Sequence, residues 1–139
     1  MTNLNFNDGR KTFLVNGTVE ISFNPSDFGL ISRMSEVMDN ISEIEKKYEI
    51  FENETDDIKA LGVKMAEFDR EVREQLDQLF GAEISDKLFG TTNCMSCAGG
   101  QPICINFAEA VFPVIAKEIE AEKKKAEKKI NKYVSQVKK

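Results

Sequence analysis

At 139 residues, with 41% apolar and 31% charged side chains and a formal net charge of −5, the chain has the size and composition of one folded domain, not of a disordered segment. No run approaches the roughly 18 apolar residues of a membrane span, and Met1-Thr2-Asn3-Leu4-Asn5 lacks the basic-then-apolar order of a leader. The expectation is a protein that stays in the compartment where it is made, and the absence of any histidine excludes imidazole acid-base catalysis, Ser-His-Asp triads and His-ligated metals.

The first element is a β-hairpin within residues 4–23. Thr12-Phe13-Leu14-Val15 and Thr18-Val19-Glu20-Ile21-Ser22-Phe23 flank Asn16-Gly17, the dipeptide that most readily adopts positive φ at both turn positions. Val19, Ile21 and Phe23 alternate with Thr18, Glu20 and Ser22, so one face is predicted to be buried. Leu4-Asn5-Phe6 can add a third strand through the turn Asn7-Asp8-Gly9-Arg10.

Asn24-Pro25-Ser26-Asp27 ends the sheet, and Ser26 or Asp27 can cap a helix over about 26–51. Ile31, Met34, Met38, Ile41, Ile44, Tyr48 and Phe51 form its expected apolar stripe. A second helix over about 57–80, with Thr55 or Asp56 as cap, carries Ile58, Leu61, Met65, Phe68, Val72, Leu76 and Leu79 at near-heptad spacing and stops at Gly81. Two helices with one stripe each and a short connection predict an antiparallel helical hairpin.

A short helical turn around 84–89 leads into an expected loop over residues 90–102. A final helix from about residue 105 carries Phe107, Val111, Ile115 and Ile119, with Pro113 expected to kink it. The fold class is thus α+β, mostly α: an N-terminal hairpin of two or three strands, an antiparallel helical hairpin and a long C-terminal helix.

Charge divides the chain into a body, residues 1–121, and a basic helical extension, residues 122–139. The extension holds eight Lys against Glu122 and Glu127, a local +6 that leaves −11 on the body. So acidic a body repels phosphates, and the extension lacks the Arg and interleaved aromatics of a base-reading element, so no nucleic acid partner is expected. The extension's apolar residues Ala126, Ile130, Tyr133, Val134 and Val137 continue the stripe, with Lys124 and Lys128 among the flanking lysines. A solvated, fraying terminus accounts for this pattern, and so does a seam for another helix; a membrane-surface helix would need more large apolar anchors. Ile130, Tyr133, Val134, Val137, Lys124 and Lys128 are the candidate partner-binding residues.

Chemistry-bearing motifs are few. No Gly-rich phosphate loop is present, Gly99-Gly100 is too short for dinucleotide binding, and no acidic pair stands out. Cys94-Met95-Ser96-Cys97 has a spacing that can chelate zinc or form a redox disulfide. Zinc would need a fourth thiolate or imidazole beyond Cys94, Cys97 and Cys104, and the sequence offers only carboxylates. A thioredoxin-like motif would open a helix after a strand, whereas this one is expected in a loop. The three cysteines therefore read as loop thiols of a reducing cytoplasm, and no catalytic residue, cofactor or metal is expected.

Several segments, in order and spacing, resemble a known family: Leu4-Asn5-Phe6-Asn7-Asp8-Gly9, Val15-Asn16-Gly17, Ser22-Phe23-Asn24-Pro25-Ser26-Asp27, Leu88-Phe89-Gly90, Asn106-Phe107, Pro113 and Asn131-Lys132-Tyr133. They are similar to the small tail assembly chaperones of bacteriophages and prophages of Gram-positive hosts. The resemblance implies a non-catalytic protein that coats the tape-measure protein, delivers tail-tube subunits to it and is absent from the finished virion. The cysteine cluster is not part of that resemblance. Three other classes remain open: an inhibitor that engages a host defence protein through its acidic surface, a metal- or redox-responsive module, and a minor structural protein of the virion.

Overall fold

The structure, a computed structural model, describes residues 1–54 and 57–137, with side chains described except at 51–54, 133, 136 and 137. Strands β1 (Lys11–Val15) and β2 (Val19–Phe23) pair antiparallel, with Phe13 opposite Ile21 and Val15 opposite Val19. Asn16 and Gly17 both have positive φ, and the Thr18 N–H closes the turn onto the Val15 carbonyl at 3.2 Å. Thr18 belongs to the connection, so β2 begins one residue later than its alternation suggests. Phe13 stacks on Phe23 at 5.5 Å between ring centroids on the buried face, while Thr12 and Ser22 hydrogen-bond on the other.

Residues 4–6 form no strand, and Leu4 and Phe6 are exposed. The reason is local: Asn7 and Asp8 accept the N–H groups of Gly9 and Arg10 in successive side-chain turns, and Asn24 donates to the Asp8 carbonyl. These bonds compete with a ladder. Gly17 at φ +74° has open space around its missing Cβ, so a substitution there meets backbone strain alone. Gly17→Val is expected to lower stability by about 1–3 kcal/mol, read as a fall in thermal midpoint; an unchanged midpoint would rule out a strained turn.

Helix α1 (Phe28–Glu54) starts after Asp27, whose Oδ1 accepts the Gly29 N–H at 2.8 Å. Its buried face runs through Leu30, Val37, Ile41 and Ile44, with Met34 and Tyr48 half-buried. The expected stripe is therefore rotated, because Ile31 and Met38 lie on an exposed flank. The Phe51 side chain lies outside the described residues.

Helix α2 (Ile58–Phe80) is capped by Asp57, which accepts from Lys59 and Ala60; the expected caps Thr55 and Asp56 lie outside the described residues. Phe68, Val72, Leu76 and Leu79 are buried as the heptad spacing predicts, whereas Ile58 at the end of the stripe is 84% exposed. Asn40 of α1 donates to Gln75 of α2 at 3.1 Å, tying the two antiparallel helices together along the hairpin. Gly81, at φ 112°, ends α2 with its N–H on the Asp77 carbonyl.

Helix α3 (Ile84–Phe89) receives its cap from the preceding helix. Asp77 accepts both the N–H and the hydroxyl of Ser85, which satisfies this fully buried serine. The segment expected as a loop over 90–102 contains a second, very short hairpin, β3 (Cys97–Ala98) with β4 (Gln101–Pro102), turned by Gly99 and Gly100 at positive φ. Helix α4 (Ile103–Val137) begins two residues earlier than expected, since its first N–H groups reach back to the carbonyls of Ser96 and Cys94. It continues through Pro113.

One cluster unites the buried residues of β2, α1, α2, α3, the 94–95 turn and the first part of α4 up to Ile115. The architecture is α+β and mostly α, as expected, with a two-stranded N-terminal hairpin, a helical hairpin and a long C-terminal helix. No helix among the described residues is long and apolar enough to cross a membrane.

Candidate functional site

Apolar side chains are exposed at several places among the described residues, and two of these places are candidate binding surfaces. The first is a groove of about 460 Å³ between α1 and α4. Met34, Met38 and Ile41 form one wall, and Ile105, Ala108, Phe112, Pro113 and Ala116 the other. The rotation of α1 explains the first wall, because turning Leu30 and Val37 to the core leaves Met38 facing outward. Pro113 lacks an N–H and so leaves the Glu109 carbonyl without its helical donor on this side. Glu45 and Glu109 flank the groove, Glu109 accepting from Gln101 at 2.9 Å, and the described lining residues include no Lys or Arg. A groove of this shape, with two unbranched thioethers in one wall, can accept varied apolar side chains from a helix.

The second surface is the extension of α4. Its root is fixed where Lys11 pairs with Glu118 and Glu122, and the hydrogen bond that Lys11 donates to Glu118 outweighs desolvation and raises the ammonium above its ordinary value. From residue 123 on, every described side chain is exposed, including Lys124 and Lys128. Ile130 is 61% and Val134 42% exposed, one helical turn apart on the same face. Side chains of Tyr133 and Val137, also candidates, lie outside the described residues.

The cysteines separate into two environments. Cys94 and Cys104 are fully buried in the core and Cys97 is exposed, so the three do not converge. Among the described residues no three Cys, Asp or Glu side chains gather as a metal site would require. The Cys94 thiol is pushed well above its ordinary value by its interaction with Cys104 and by burial. Cys104 also lies 3.7 Å from the Met95 sulfur. The reading of all three as loop thiols is corrected for Cys94 and Cys104, which are core side chains.

Exchanging both motif cysteines for serine is for this reason not expected to be silent. Cys94→Ser buries a hydroxyl in a site shaped for sulfur and is expected to cost about 1–3 kcal/mol, while Cys97→Ser stays within about 0.5 kcal/mol. Urea titrations of the two single variants check this, and equal midpoints would count against the buried placement of Cys94.

These features define a small α+β protein with an acid-flanked apolar groove and a basic helix standing off the body. Compared with known proteins, the chain matches no family model, no curated protein and no solved structure. The groove was not among the sequence-derived candidates. Its only signal was a pair of methionines at helical spacing, which read equally well as core.

Proposed function

We propose that the chain is a non-catalytic tail assembly chaperone of a bacteriophage or prophage, acting in the host-cell cytoplasm. It binds helical segments of the tape-measure protein and helps recruit tail-tube subunits. The observation that carries this reading is the extension of α4, where Ile130 and Val134 stand exposed amid lysines beyond the last contact with the body. A helix end that only terminated the fold would gain nothing from apolar residues at four-residue spacing, whereas a helix that grips another helix uses them. The resemblance of the Asn-Gly hairpin, the Asn24-Pro25-Ser26-Asp27 corner and the lysine-rich C-terminal helix to the chaperone family supplies the particular partner.

The test is co-expression of the full chain with the coiled-coil tape-measure protein encoded beside it. Ile130→Asp with Tyr133→Asp is expected to abolish co-purification while leaving the circular dichroism and melting of the body intact. Undiminished capture by that double variant, or recovery of the protein as a stoichiometric component of purified virions by mass spectrometry, would overturn the reading.

A further inference from the structure

We propose that the groove between α1 and α4 receives the basic C-terminal extension of a second copy of this chain, so that copies associate head to tail. The inference goes beyond the chaperone reading and does not depend on it, because it concerns what the chain does with itself.

Charge complementarity selects the occupant. The groove is apolar along its floor, flanked by Glu45 and Glu109, and set in a body of formal charge −11, whereas the extension carries +6 around an apolar edge at Ile130 and Val134. The chain thus holds both halves of one interface, an acidic groove and a basic amphipathic helix. Lengths agree as well. The groove walls run from Met34 to Glu45 on α1 and from Ile105 to Ala116 on α4, about 16 Å of helix each, and the extension from residue 123 to 137 spans about 21 Å.

The same molecule cannot satisfy itself. Helix α4 supplies one wall of the groove and runs unbroken from Ile103 to Val137, so its own extension leads away from that wall. A groove filled by another copy's extension leaves that copy's groove open and the first copy's extension free. Such a contact is heterologous, and it produces chains or rings in place of a closed two-fold dimer.

The experiment uses two full-length variants, each altered only at exposed positions. Ile130→Asp with Val134→Asp disables the extension, and Met38→Glu with Ala116→Glu disables the groove. Circular dichroism and melting first confirm that both remain folded. In sedimentation velocity the unaltered protein is expected to form a concentration-dependent series beyond the dimer that shrinks as salt is added. Each variant alone is expected to lose every species above the monomer. Their equimolar mixture is expected to regain a dimer and nothing larger, because one intact groove and one intact extension remain. The proposal is overturned if the unaltered protein stays monomeric, if either variant alone still associates, or if the mixture stays monomeric. It is also overturned if the groove variant loses only tape-measure capture, which would assign the groove to that foreign helix. Loss of tape-measure capture in every form, with self-association intact, would sink the chaperone reading and leave this inference standing.

Discussion

Replacing Arg73 by Met should lower the unfolding free energy by about 2–3 kcal/mol, because it breaks a half-buried ion pair and leaves several acceptors without their donor, and should release the segment after α3. Arg73 donates Nε to both oxygens of Asp69 at 3.0 Å, Nη1 to Asp86 at 2.9 Å, and Nη2 to the carbonyls of Gly90 and Thr92 at 2.9 and 2.8 Å. Its guanidinium also lies 5.7 Å from the Phe89 ring centroid. Asp69 in turn accepts the Cys94 N–H at 2.8 Å, so one ion pair anchors both ends of the turn that feeds α4. Methionine keeps the length of the stem but leaves a half-buried carboxylate and two carbonyls without their donor.

The same network gives the fold an acid limit. Burial pushes the Asp69 carboxyl up, but the Cys94 N–H and the Arg73 guanidinium outweigh it and hold the group below its ordinary value. A carboxyl depressed in the folded state stabilises fully above its unfolded value of about 3.9, and that contribution is lost as pH falls through the lower folded value. Urea midpoints of the unaltered protein should therefore fall below about pH 4 more steeply than those of Asp69→Asn. Parallel slopes would mean that Asp69 contributes no linkage.

Elements governed by local chemistry were legible in the sequence. Asn16-Gly17 announces the turn because few other residues accept positive φ twice in succession, and the Phe68, Val72, Leu76, Leu79 spacing announces the buried face of α2. Where two patterns compete, tertiary packing decided. In α1 the stripe through Ile31 and Met38 and the neighbouring one through Leu30 and Val37 both have helical spacing, and only the position of α2 selects the second. Gly99-Gly100 carries the same hairpin signal as Asn16-Gly17, yet its glycine-rich surroundings read as a loop too short for dinucleotide binding. Its strands are two residues long, too short to show alternation.

Long-range hydrogen bonds were not legible at all. Arg73 and Asp69 read as an ordinary i, i+4 surface pair, and nothing local indicates that Gly90, Thr92 and Cys94 converge on them. Cys94 suffered from the same blindness: the Cys-X-X-Cys spacing invited a chemical reading, while its burial follows from Asp69 and Asn93 holding the 94–95 turn against α2. The groove was hidden for a related reason, since an unfilled space between α1 and α4 is a property of two helices and not of either one.

Phe107→Ala should produce the other large loss, about 3–5 kcal/mol, and should remove the groove along with it. Phe107 is buried where α2, α3 and α4 meet, with edge-on contacts to Phe80 at 6.0 Å, Phe89 at 6.4 Å and Phe112 at 6.3 Å between centroids. Each such pair adds about 0.5–1.5 kcal/mol beyond area burial, and truncation opens a cavity that three separate elements would have to close together. Phe112 is the wall residue most exposed to the change, because the ring that supports it from behind is gone. Hydrogen exchange should therefore accelerate first in α4 between Ile103 and Ala116 while the pairing of α1 with α2 persists, and self-association should weaken by more than in Phe107→Leu, which refills most of the cavity. Uniform acceleration across α1, α2 and α4 would instead mean that the aromatic cluster holds the whole fold and that the docking of α4 is not separable from it.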